Sequence, residues 1–210
     1  MRIKICGLFR GEDIDFVNEA RPDYIGFVFA QSSRQVSAPL AQHLRFRLAD
    51  GIVPVGVFVN APIAMITELY HNGIISAAQL HGNEDDSYIV QLKKLSETRI
   101  REKKTQAIKV IKTVFPASTG SWLKSIPANA DYILIDSGAG SGKTFDWKKL
   151  SSVKFKKPWF LAGGVSPKNI KEAMTLNPFA IDVSSGAETD GIKDREKILQ
   201  LVKTVRQGNI

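Results

Sequence analysis

Two residues of this chain are best placed for proton chemistry. Cys6 ends the apolar run Ile3-Lys4-Ile5-Cys6 and is followed by Gly7, and Asp136 ends the run Tyr132-Ile133-Leu134-Ile135-Asp136. A thiolate serves as base or nucleophile where cations or helix N-termini lower its pKa. The plainer reading of a lone cysteine is a small buried hydrophobe. A carboxyl group in a desolvated position holds its proton to higher pH and can deliver it. The plainer reading of Asp136 is an Asx turn into the glycine-rich stretch that follows.

Anion chemistry is suggested by two further strand ends. Gly163-Gly164 and Ser184-Ser185-Gly186 each follow a short apolar run. Glycines let backbone N–H groups approach an anion, and loops at such positions often hold phosphate; each could equally be a turn. Arg34 could clamp a carboxylate bidentately, or be an ordinary loop arginine. His81, before Gly82, could add a donor to the site or stand behind it. Lys4 and Asp182 should both point inward, and a buried cation needs a partner, so the two are expected to pair. His43, His71 and His81 fall on different elements, and no metal-ligand spacing is present. The stretch Gly138-Ala139-Gly140-Ser141-Gly142-Lys143-Thr144 imitates a P-loop, but Ser137 stands where the first glycine of that motif belongs. A loop able to close over a ligand is the better reading.

These residues can meet only if their strands gather at one face. Apolar runs at 3–6, 24–29, 53–59, 77–81, 107–113, 132–136, 159–162 and 180–184 alternate with amphipathic stretches. Ile63, Ile66, Leu69 and Tyr70 recur at helical spacing, as do Ile198, Leu201, Val202 and Val205. Ser166-Pro167 reads as a helix N-cap with proline at the first helical position. Eight units of about 26 residues predict an α/β fold, a (β/α)8 or TIM barrel, as a single domain over residues 1–210. Strand alternation sends Ile3, Ile5, Ile133, Ile135, Ile181 and Val183 outward, and Lys4, Cys6, Leu134, Asp136, Asp182 and Ser184 inward.

Composition narrows the classes. The formal net charge is +8, which suits steering of an anionic small molecule or contact with nucleic acid. The basic clusters at 99–104 and 154–157 lack interleaved stacking aromatics, so solvated faces are expected rather than a nucleic-acid surface. No apolar run is long enough to span a membrane, no signal-peptide pattern is present, and one cysteine suits a reducing cytoplasm.

With these residues assembled, the chain resembles the phosphoribosylanthranilate isomerases of tryptophan biosynthesis. The resemblance is carried in order by Lys4-Ile5-Cys6-Gly7-Leu8, Asp23-Tyr24-Ile25-Gly26-Phe27-Val28-Phe29, Ser33-Arg34-Gln35-Val36-Ser37 and Gly56-Val57-Phe58-Val59-Asn60. It continues through Gln79-Leu80-His81-Gly82, Gly142-Lys143-Thr144-Phe145-Asp146-Trp147, Leu161-Ala162-Gly163-Gly164-Val165 and Asp182-Val183-Ser184-Ser185-Gly186. It implies a cofactor-free Amadori rearrangement of N-(5-phosphoribosyl)anthranilate by a cytoplasmic monomer or homodimer. Cys6 would be the general base and Asp136 the general acid. Arg34 would hold the anthranilate carboxylate, with His81 and Asp182 lining the substrate pocket. Gly163, Gly164, Ser184, Ser185 and Gly186 would hold phosphate. Ala139 and Phe9 depart from the family's usual residues, and Glu188-Thr189-Asp190-Gly191 fits its last loop. The alternatives are another phosphate-binding barrel isomerase, which would carry an aspartate in place of Cys6, a basic nucleic-acid-binding protein, or a P-loop NTPase.

Overall fold

The computed structural model describes residues 1–97, 99–100, 103–104, 106–116, 123, 126–136 and 147–208. The P-loop-like stretch, Ala139 and Ser137 lie outside the described residues. Eight parallel strands form a closed barrel: β1 (Arg2–Cys6), β2 (Tyr24–Val28), β3 (Val53–Phe58), β4 (Ala77–Leu80), β5 (Lys109–Val114), β6 (Tyr132–Asp136), β7 (Trp159–Ala162) and β8 (Ala180–Val183). Each strand pairs with its sequence neighbours, and β1 closes the ring against β8. Six α-helices are described: α1 (Gly11–Ala20), α2 (Ala38–Arg47), α3 (Ile63–His71), α4 (Asp86–Ser96), α5 (Ile170–Thr175) and α6 (Arg195–Gln207). A 3₁₀ turn at Trp147–Leu150 precedes β7. Among the described residues no helix is long and apolar enough to cross a membrane.

Alternation divides the core into two layers. Ile3, Ile5, Ile133, Ile135, Ile181 and Val183 pack outward with helix residues such as Leu201 and Val205. Leu134, Phe160, Val55 and Ile111 fill the barrel interior. Burying each such side chain contributes about 1.5–3 kcal/mol. Phe160 meets Tyr24 and Tyr132 edge-on, at 5.5 and 5.7 Å between ring centroids. These rings close the end where the strands begin, which leaves the opposite end for polar groups.

Two local expectations are corrected. The fifth strand starts at Lys109, not 107, because the Ile108 N–H donates to Ser96 Oγ of α4 (3.0 Å) rather than to a neighbouring strand. Ser166-Pro167 does not cap a helix. α5 begins at Ile170, since the Asn169 side chain turns back, accepting from the Ser166 N–H (2.8 Å) and donating to the Gly164 carbonyl (3.0 Å). That closed turn takes up the three residues that would have formed the first helical turn.

Lys4 and Asp182 lie opposite each other across the β1–β8 seam, and the ammonium contacts the carboxylate at 2.9 Å. Lys4 is completely buried. Burial works to lower its pKa, but Asp182 and then Cys6 outweigh it and hold the group above its ordinary value. Removing one partner strands the other's charge, so Lys4→Met should cost about 3–5 kcal/mol in urea unfolding. The double variant Lys4→Met, Asp182→Asn should cost less than the sum of its single changes. Strictly additive losses would contradict a direct pair.

Candidate active site

At the end where the strands finish, a cavity of about 480 Å³ opens into the barrel. Cys6 and Asp136 both line it, with Asp182 and His81. Gly163, Gly164, Ser184 and Ser185 form one wall, and Arg34 stands at another. Val28, Val57, Val59 and Phe115 are its apolar side. A neighbouring depression of about 570 Å³ is lined by Gly82, Glu84, Lys112 and Phe115. Its buried lysine and carboxylate are already paired, at 3.1 Å, so the first cavity is the one equipped for chemistry.

The thiol fits because its neighbour on β2 has no side chain. A Cβ on Gly26 would lie 2.6 Å from Cys6 Sγ and 3.2 Å from Lys4 Nζ. Burial pushes the Cys6 thiol above its ordinary value; Lys4 and Lys193 pull against this, and Asp182 adds to it. The charges near the thiol are Lys4, Lys193 and Arg34 against Asp182 and Glu188. Burial outweighs the cations, so the thiol holds its proton above its ordinary range and, once ionised, is a correspondingly strong base.

Arg34 is held in place. Its Nε and Nη2 each donate to a Glu188 carboxylate oxygen at 2.6 Å. Lys193 Nζ bonds the same carboxylate and donates to the Ser184 carbonyl (3.2 Å). Burial works to raise the Glu188 carboxyl, but Arg34 and Lys193 together hold it below its ordinary range. Of the guanidinium's five N–H donors, two serve Glu188, so a ligand carboxylate would meet the Nη1 edge rather than the Nε–Nη2 fork. Gly7, at φ 83°, lets Arg34 pass close over the end of β1, where a Cβ would lie 2.5 Å from Arg34 Cδ. Phe9 is half-buried, packs against the outer core and donates its N–H to Asp13 (3.0 Å), so it sits beside the site's loop rather than within the cavity.

On the far side, His81 Nε2 lies 3.7 Å from Asp136 Oδ2. The loop after β4 is braced from behind: Lys112 Nζ donates to the Gly82 carbonyl (2.6 Å) and contacts Glu84, while Glu84 accepts from the Gly82 N–H (2.9 Å). Gly186, expected at the phosphate wall, is not brought to the cavity. It is pressed against the Gly163-Gly164-Val165 loop of the same wall, where a Cβ would lie 1.9 Å from the Val165 carbonyl oxygen.

Sequence reasoning missed Glu188, Lys193 and Gln79. A signal existed for the first two. Asp190-Gly191 is the dipeptide of a tight hairpin turn, and both residues have positive φ, 51° and 78°. That hairpin sets Glu188 directly opposite Lys193. Gln79, 2% exposed, lies two residues before His81 and therefore faces the same interior.

Comparison with known proteins agrees across the whole chain. The family profile described as N-(5'phosphoribosyl)anthranilate (PRA) isomerase matches residues 3–204. The chain is similar to the N-(5'-phosphoribosyl)anthranilate isomerase of Endomicrobium trichonymphae, at 44% identity over 98% of both chains. Among solved structures it is similar to phosphoribosyl anthranilate isomerase from Thermotoga maritima (TM-score 0.83, 32% identity, 99% of both chains). It is also similar to a phosphoribosyl anthranilate isomerase solved in complex with reduced 1-(o-carboxyphenylamino)-1-deoxyribulose 5-phosphate (TM-score 0.78, 30% identity, 99% of both chains).

The thiol's surroundings have a measurable consequence. Followed by thiolate absorbance at 240 nm, Cys6 should titrate above a free cysteine, and Lys4→Met should move it higher still. An unshifted titration in the variant would remove Lys4 from the thiol's environment.

Proposed function

The chain belongs to the N-(5'-phosphoribosyl)anthranilate isomerase family, and we propose that Cys6 and Asp136 carry the two proton transfers of its reaction. The enzyme converts N-(5'-phosphoribosyl)anthranilate to 1-(2-carboxyphenylamino)-1-deoxyribulose 5-phosphate in tryptophan biosynthesis. The observation that carries the assignment is that a thiol ending β1 and a carboxyl ending β6 line one cavity. That cavity lies between an arginine and two small-residue loops.

The chemistry needs an acid before it needs a base. The substrate's furanose ring opens when a proton reaches the ring oxygen as the C1–O bond breaks, and Asp136 delivers that proton. The anthranilate nitrogen supplies the electrons, leaving an iminium at C1. The iminium acidifies the C2–H, and the Cys6 thiolate removes it. The resulting enolamine tautomerises to the ketone. Arg34 holds the anthranilate carboxylate through its Nη1 edge. The walls at Gly163-Gly164 and Ser184-Ser185 receive the phosphate, supported by the positive φ of both glycines (88° and 74°) and by the Asn169 turn that ties down the first of these loops. Asp182 acts through Lys4 and the thiol, as their pairing supports. A single cysteine kept as a working thiol fits a reducing, cytoplasmic setting.

General acid–base assistance is worth roughly 10²–10⁴-fold per group, so Cys6→Ser and Asp136→Asn should each lose turnover on that scale with the fold intact by circular dichroism. Near-normal rates in either variant would refute its role. Arg34→Ala should chiefly raise KM; an unaltered KM would take it out of the carboxylate site. Because the base is a thiolate of raised pKa, kcat/KM should climb with pH through a value above that of a free thiol. In a tryptophan-requiring strain lacking this isomerase, the wild-type gene should restore growth and the Cys6→Ser gene should not.

A further inference from the structure

His81 presents one ring nitrogen to Asp136 and the other to a buried amide. Nδ1 lies 3.3 Å from Gln79 Nε2. An amide nitrogen only donates, so Nδ1 accepts and the proton of the neutral ring sits on Nε2, facing Asp136 Oδ2 at 3.7 Å. The charged groups facing the ring are Asp136 from β6, Asp182 from β8, Lys4 from β1 and Lys112 from β5. Burial, outweighing the two carboxylates, lowers the His81 pKa and keeps the ring uncharged.

The ring has little freedom to turn over. Phe115 packs against it edge-on (5.3 Å, 81°), the His81 backbone N–H donates to the Phe58 carbonyl (2.8 Å), and the Lys112–Glu84 brace holds Gly82. Which nitrogen carries the proton is then decided by Gln79. This side chain is poorly explained by packing. Its amide nitrogen is shared between His81 and Thr113 Oγ1 (3.5 Å), while its Oε1 is buried without a hydrogen-bond partner among the described residues. A leucine would fill the same space with no orphaned oxygen.

We infer that Gln79 is a positioning residue: its amide fixes His81 in the Nε2–H tautomer, so that the ring turns an N–H rather than a lone pair toward Asp136 Oδ2 across 3.7 Å. The inference rests on the reading of Asp136 as general acid.

Gln79→Glu tests it with almost no change of shape. A carboxylate only accepts, so it draws the ring proton to Nδ1 and turns a bare Nε2 toward Asp136. Long-range ¹H–¹⁵N spectra of the full chain labelled at histidine report the tautomer, and only three histidines need assignment. The wild type should show Nε2–H. Gln79→Glu should show Nδ1–H, with kcat down about 10–100-fold, less than loss of the acid itself, and KM within about threefold. Nδ1–H in the wild type, Nε2–H retained in the variant, or an inverted tautomer with unchanged kcat would each overturn the inference. Should Gln79→Glu fail to fold, Gln79→Leu replaces it: a mixture of tautomers with lowered kcat is expected, and pure Nε2–H overturns the inference. Asp136→Asn is assayed alongside. Wild-type turnover there refutes the acid assignment, whereas the tautomer spectra judge Gln79 independently.

Discussion

An ammonium sealed inside an apolar barrel must be neutralised, and the way Lys4 is neutralised organises this molecule. Leaving such an ion unpaired costs several kcal/mol. Its partner Asp182 comes from the last strand, so the pair forms only when β1 and β8 close the ring in register. Lys4 lies beneath Cys6 on β1, because inward positions repeat every two residues, so the closure that neutralises Lys4 acts directly under the thiol. Barrel closure and the environment of the thiol are thus one event.

The inward residues form layers with a common order. β6 reads Tyr132, Leu134, Asp136; β4 and the residue after it read Ala77, Gln79, His81; β8 and the residue after it read Ala180, Asp182, Ser184; and β1 ends in Lys4 and Cys6. Apolar and aromatic groups fill the end where strands begin, Leu134, Gln79, Asp182 and Lys4 lie midway, and Cys6, Asp136, His81 and Ser184 stand at the mouth. Backing the mouth are two ion-pair clusters that the interior pattern does not contain: Glu188 with Arg34 and Lys193, and Lys112 with Glu84. One orients an arginine over the cavity and the other steadies the histidine loop. Absent side chains matter as much, since Gly26 makes room for the thiol and Gly186 lets the two wall loops lock together.

Much of this was legible from the chain, for a physical reason. Each barrel strand is buried on both faces, so it reads as an apolar run, and a polar residue at its inward end stands out. Cys6, Asp136, His81 and Asp182 were visible in that way, as was the Lys4–Asp182 pair, because a buried cation dictates its own partner. What stayed hidden depends on loop conformation. Ser166-Pro167 has the local signature of a helix start, but Asn169 closes a turn there instead. Arg34 was legible as an arginine at the strand ends, while the residue that holds its fork, Glu188, lies 154 positions away. Gly186 was legible as a loop glycine, but its close packing on the Val165 carbonyl was not. Gln79 was hidden differently: a polar residue in mid-strand has no motif, and its meaning appears only once His81 and Asp136 are brought beside it.

The central claim is that one cavity sets a thiol and a carboxyl against the two ends of a single proton-transfer sequence. The most direct measurement is a crystal structure of this enzyme with the reduced product, 1-(o-carboxyphenylamino)-1-deoxyribulose 5-phosphate, bound. The account places Cys6 Sγ about 3–3.5 Å from C2, and Asp136 within hydrogen-bonding distance of the C4 hydroxyl, the former ring oxygen. A ligand seated with its phosphate toward Cys6, or with C2 beyond reach of the thiol, would contradict it.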